Sequence, residues 1–215
     1  MDKTAQISEA KRLLAHAREA ASKGALNIAP VEVNKQRFNA ELLSVDWKAF
    51  VSSADYHYFV GRILLSQQAH LYGLFCGHQC VENYLKAYLV SVAQNPPTIH
   101  VLYKLLEGAR SVSATTATFL ASEDAETICK KFEPFYEIGR YPVQISRPKG
   151  GMYVAMPSAD LLVLDYFVYE MRKLLPLGAK DWDILGPQGH YELSHVKDVR
   201  PEFYSMFMKD NLNCA

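Results

Sequence analysis

Between about residues 67 and 94 the chain keeps a single period. Leu74, His78, Val81, Leu85, Tyr88 and Val92 follow alternating steps of four and three, the spacing that lines one edge of an α-helix and packs it lengthwise on another. Asn95-Pro96-Pro97 ends it, since proline has no amide to give the helical ladder and disfavours helix in the residue before it. A helix this long with an apolar edge must be covered along its length. The rest of the chain supplies elements of the same kind.

The spacing predicts a helix over about 45–65, striped by Trp47, Phe50, Val51, Ala54, Tyr58 and Ile63, with Asp46 placed to favour its start. Its aromatics, Trp47, Phe50, Tyr56, Tyr58 and Phe59, read as core and partner-facing surface before they read as a base-stacking platform. Thr98 is positioned to cap a shorter helix over about 99–110, with Leu102, Leu105 and Leu106 inward. A further helix is expected over about 115–136, ending near Gly139. Pro157 and Ser158 open the last strong one, with Leu161, Leu164, Val168, Met171 and Leu175 in register and Pro176 ending it. Upstream, Ile7, Ala10, Leu13, Leu14 and Ala17 mark a first helix over 5–22, followed by a connector.

Residues 140–156 contain Pro, Gly-Gly and β-formers and suggest a long loop or small hairpin. Residues 177–215 hold no sustained period and read as an irregular arm or short strands. The expectation is an all-α, antiparallel up-down bundle of about five helices. Its division is 1–44 as helix and connector, 45–176 as the bundle, and 177–215 as a C-terminal extension.

Composition narrows function mainly by exclusion. The 215 residues carry 23 Lys+Arg and 23 Asp+Glu, a neutral balance that argues against a general nucleic-acid coater while leaving room for a local basic patch. No run of about 18 apolar residues exists to span a membrane, and the charged start lacks the apolar core of a secretory signal. A cytoplasmic, reduced setting follows as the expectation for Cys76, Cys80, Cys129 and Cys214. Cys76, His78 and Cys80 raise the zinc question, but His78 projects about 160–200° from the two thiols at roughly 100° per residue. No second ligand pair follows at zinc spacing, so a metal site is not expected, and no cofactor is implied. There is no G-x-S-x-G, G-x-G-x-x-G or H-E-x-x-H pattern. Arg147-Pro148-Lys149-Gly150-Gly151 is a basic turn without the Gly-Lys-Ser/Thr of a phosphate-binding loop.

Three segments are recognisable together. Gln79, Glu82 and Lys86 stand as Q-x-x-E-x-x-x-K inside GLFCGHQCVENYLKAYLV; Thr98-Ile99-His100-Val101-Leu102 follows the Pro-Pro break; Tyr136-Glu137-Ile138-Gly139-Arg140-Tyr141-Pro142 precedes the loop. In this order, over about residues 45–175, the chain resembles the HEPN family (higher eukaryotes and prokaryotes nucleotide-binding). The resemblance implies a bundle of about four or five helices, commonly a dimer, in a family ranging from RNA-cleaving toxins to silent partners of nucleotidyltransferases. Its nuclease branch carries Arg followed after four to six residues by His. That pair matches the chemistry: Arg stabilises phosphate charge while His moves a proton. None of the nine arginines has such a partner: Arg12 to His16 is too short and Arg62 to His70 too long. The resemblance therefore points to binding rather than catalysis.

The candidate contacts are Arg140, Lys86, Tyr141, Tyr136, His100, Glu82, Gln79 and His78. Arg140 offers a planar fork for phosphate, with Tyr136 or Tyr141 to stack on a base; its plain reading is a pair with Glu133 or Glu137. Glu82 and Lys86, at i,i+4, read either as a surface ion pair or, with Gln79, as one wall of a groove. His78 lies on the apolar seam, as a core histidine or a proton shuttle. His100 either closes the start of its helix or meets an anion there. The leading expectation is a homodimeric nucleotide- or RNA-binding module working beside a protein such as a nucleotidyltransferase. One alternative is a metal-independent RNase using Arg140 or Arg172 with His78 or His100. The other is a structural dimer that binds a protein partner.

Overall fold

The computed structural model describes Arg12, Glu19, Ser22, Lys23, residues 45–92, Asn95, and residues 97–113, 117–140, 157–178 and 193–214. By internal contacts the chain divides into Met1–Glu41 and Leu42–Ala215. In the first unit Arg12, Glu19 and Ser22 are helical, and Lys23 pairs with Glu19. The rest of the expected first helix and its connector lie outside the described residues, as do 141–156.

Asp46 opens the second unit as expected: its side chain accepts from the Lys48 amide at the start of α1 (Trp47–Ser66). After a three-residue turn begins α2 (His70–Ser91). The turn is closed by the amides of Gln67, Gln68 and Ala69, which donate to carbonyls of Ile63, Leu64 and Leu65, and by Gln68 in the left-handed region at φ 62°. Phe50, Val51, Ala54 and Tyr58 of α1 and Leu74, His78, Val81, Leu85 and Tyr88 of α2 are buried, so both predicted stripes form the core. The seam ends before Val92, which is 37% exposed.

Downstream come α3 (Leu102–Val112), α4 (Thr118–Ala121), α5 (Glu123–Phe132) and α6 (Phe135–Ile138). Where one helix is expected over 115–136 the chain breaks twice. Ser122 leaves helical geometry to cap α5, its hydroxyl accepting from the Ala125 amide at 3.2 Å. Pro134 then interrupts the ladder. The cap expected from Thr98 is also different. The residue before α3 is Val101, without a side-chain cap, and Glu133 arrives from the end of α5 instead. Its Oε2 accepts from the amides of Leu102 at 2.7 Å and Tyr103 at 3.4 Å.

The last strong helix, α7 (Pro157–Leu174), starts where Pro157 predicts and buries Leu164, Phe167, Val168 and Met171. Two buried ion pairs give its direction. Arg62 of α1 meets Asp165 at 3.0 Å, and Asp55 meets Arg172 at 2.9 Å. Each helix places its Asp seven residues before its Arg, and the earlier residue of one helix meets the later residue of the other. That crossed register requires α1 and α7 to run antiparallel. Burial works against the charged Arg172, but Asp55 and the Tyr84 hydroxyl outweigh it and raise its pKa.

In its described residues, 193–214, the tail departs from the irregular arm or short strands expected of it, while 179–192 lie outside the described residues. It forms α8 (Leu193–Val199) and α9 (Pro201–Met208), the latter opened by proline in its first turn. Phe207 is fully buried against Tyr58 and Phe59. Arg62 donates to the carbonyls of Met206, Phe207 and Lys209 at 3.1, 2.6 and 2.7 Å, which satisfies carbonyls that the end of α9 leaves open. No helix among the described residues is long and apolar enough to cross a membrane.

Candidate functional site

On α2, His78, Glu82 and Lys86 are one turn apart and share a face. All three are buried, so the Glu82–Lys86 pair is internal rather than solvated. Lys86 Nζ donates to Glu82 Oε1 at 2.8 Å. His100, just ahead of α3, brings Nδ1 to 2.9 Å from the same oxygen while half of its side chain stays exposed. His78 Nε2 stands 3.4 Å from Glu82 Oε2, and its Nδ1 lies 3.2 Å from the Phe132 carbonyl oxygen. That last approach depends on Gly77, because a Cβ there would overlap the Phe132 ring.

Tyr136 of α6 joins the cluster from a third segment. Its ring is stacked on His100 at 5.0 Å and tilted against His78 at 5.2 Å between centroids. Arg140 sets its guanidinium 4.9 Å from the Tyr136 centroid, donates to the Tyr136 hydroxyl, and is exposed. Gly139 allows α6 to lie this close to α2, since a Cβ there would overlap the Phe75 ring.

Burial alone pushes the Glu82 carboxyl up. Hydrogen bonds from His78, Lys86 and His100, with the Lys86 charge, outweigh it and bring the pKa down to about 2. The centre is therefore a permanent anion paired to a buried ammonium. His57 of α1 also feels Glu82; burial pushes its pKa down while the Glu82 charge opposes.

Six of the eight candidate residues thus meet: His78, Glu82, Lys86, His100, Tyr136 and Arg140. Gln79 is half-buried on α2, and its side chain forms no hydrogen bond among the described residues; its carbonyl accepts from Asn83. Tyr141 lies outside the described residues. The start of α3 is filled by the Glu133 carboxylate, so the anion seat imagined beside His100 holds an internal group. Sequence reasoning missed His57 and the capping role of Glu133, whose partners are distant in sequence. Burial pushes the Cys76 thiol to about 11 and Cys129 to about 12, which marks both as inert packing groups. Among the described residues no group of three or more His, Cys, Asp and Glu is arranged to hold a metal ion.

A helical bundle with a carboxylate bound by a histidine and a lysine and approached by a second histidine, next to an exposed arginine on a tyrosine ring, is a small all-α domain with a polar centre. A family model of the HEPN domain matches residues 47–151, and that stretch of the chain belongs to the HEPN family. The match begins at the first residue of α1 and takes in all three motif segments. It makes the domain a helical module of the nucleotide- and RNA-related kind. Comparison with curated proteins and with solved structures produced no match.

Proposed function

We propose that the bundle of residues 45–176 binds a nucleotide or RNA without cleaving it. It acts as a homodimer beside a partner protein such as a nucleotidyltransferase. What carries the reading is the Arg140–Tyr136–His100 group, with Arg140 and His100 exposed and the carboxylate behind His100 already neutralised by Lys86. Arg140 takes phosphate as a charged fork. The Tyr136–His100 stack offers a face to a base. Lys86 contributes by cancelling Glu82, which otherwise repels an anion from His100.

One observation favours a second reading, metal-independent RNA cleavage. Glu82 orients His100 through Nδ1, and Arg140 touches the same tyrosine as His100, so one Arg and one His share a surface. The version of that reading that uses Arg172 loses support, because Arg172 is 1% exposed and bound to Asp55 and Tyr84. Incubation of the purified protein with labelled RNA in EDTA, scored for binding and cleavage in the same samples, separates the two. Binding with intact RNA supports the module. Cleavage that survives repurification and disappears in His100→Ala supports the nuclease.

A further inference from the structure

His100 turns its two ring nitrogens to different surroundings. Nδ1 lies 2.9 Å from Glu82 Oε1, an oxygen that also accepts from the Lys86 ammonium at 2.8 Å. A carboxylate held in this way is ionised and can only accept. The imidazole proton therefore sits on Nδ1, since the partner at one nitrogen sets the tautomer of the ring. In the neutral ring Nε2 then carries a lone pair. Glu82 is buried, and the two nitrogens of an imidazole point in diverging directions, so Nε2 faces away from it. Half of the His100 side chain is exposed, and Nε2 makes no hydrogen bond among the described residues.

That outer lone pair limits what His100 can take from a ligand. A phosphate oxygen, itself an acceptor, gains nothing from it, whereas a donating hydroxyl or amino group does. The amino groups of a nucleotide vary from base to base. The 2′-hydroxyl is common to every ribonucleotide, absent from DNA, and adjacent to the phosphate along the chain. The Arg140 guanidinium and the His100 ring centre each lie within 5.0 Å of the Tyr136 centroid, so one nucleotide reaches both. With a base on the face of the His100–Tyr136 stack, its sugar comes to the rim of the rings, where Nε2 is.

We propose that His100 makes this site selective for RNA over DNA: its Nε2 accepts a hydrogen bond from the 2′-hydroxyl of the nucleotide whose phosphate Arg140 holds. The proposal rests on the binding reading above and narrows its ligand. Glu82 is the positioning residue, because it fixes the Nδ1 proton and with it the lone pair on Nε2. The other five residues that meet at the site do not replace His100. Glu82 and His78 are buried, Lys86 and Arg140 only donate, and the Tyr136 hydroxyl already accepts from Arg140.

The test compares three fluorescent oligouridylates of one length, carrying ribose, 2′-deoxyribose or 2′-fluororibose, on the wild type and on His100→Ala. The fluoro sugar removes the donor while keeping a substituent at that carbon. The ribose oligomer is expected to bind about three- to tenfold tighter than either of the others, the effect of one hydrogen bond, and His100→Ala is expected to lose that preference. Equal wild-type affinity for all three overturns the sugar contact and leaves the binding reading standing. So does a preference that His100→Ala retains. A second readout needs no variant to fold. Nitrogen NMR of the His100 ring is expected to show Nδ1 protonated and Nε2 bare, with the Nε2 resonance moved by the ribose oligomer and not by the fluoro one. A proton on Nε2 in the complex, the mark of a phosphate contact, overturns the proposal, as does an equal response to the two oligomers. Absence of binding to all three overturns the binding reading and this inference with it.

Discussion

Glu82 illustrates what a single residue contributes and how little of it the sequence displays. Its spacing to Lys86 is plain, but the same spacing describes countless solvated pairs worth a few tenths of a kcal/mol. Burial separates the two cases, and His100 and Tyr136 close over the cluster from other segments. Glu82→Ala leaves Lys86 buried without its counter-charge and is expected to cost about 3–5 kcal/mol in urea unfolding. The carboxyl also sets an acid limb. Its pKa falls from 4.5 to about 2 on folding. Its contribution, of order 3 kcal/mol, is therefore complete above the unfolded value and lost as pH drops through the folded one. Stability measured between pH 5 and about pH 2 is expected to fall more steeply in the wild type than in Glu82→Gln.

Among elements, the periodic helices were legible and the short ones were not. The stripes of α1, α2 and α7 survive because an apolar edge leaves its period in the sequence. The α4–α6 segment is broken by a capping serine and a proline inside what reads as a continuous stretch. The start of α3 is set by Glu133, more than thirty residues away, which no local pattern can announce. Glu133→Ala is expected to cost about 1 kcal/mol and to speed amide exchange at Leu102 and Tyr103 specifically. One long-range signal was present and unread. Asp55 and Arg62 on one helix, and Asp165 and Arg172 on another, each seven apart, are charged residues on otherwise apolar faces. Read together they give the antiparallel pairing of α1 with α7.

At the scale of the second unit, the C-terminal extension is part of the fold. Its helices are too short to stand alone, so their stability comes from docking, and an absent period carries no trace of that. Phe207 fills a site against Tyr58 and Phe59. Arg62, Asp165, Asn211 and Asn213 then bind the chain on either side of it, with the Tyr58 hydroxyl 2.7 Å from Asn211 Oδ1 and 3.1 Å from Asn213 Nδ2. Phe207→Ala is expected to cost about 3–5 kcal/mol and to make residues 201–214 the first site of limited proteolysis. The candidate site is the other feature assembled at this scale. Its residues were legible as three separate motifs, while their meeting at one carboxylate depends on how α2, α3 and α6 pack.

Everything proposed for that site runs through Arg140, so the affinity of a labelled RNA for the wild type and for Arg140→Glu is the most direct test. Arg140 is exposed, and its replacement is expected to move stability by no more than about 0.5 kcal/mol, so a change in binding is not a change in folding. The account predicts at least about a tenfold loss of affinity with an unchanged unfolding midpoint. Equal affinity in the two proteins contradicts it.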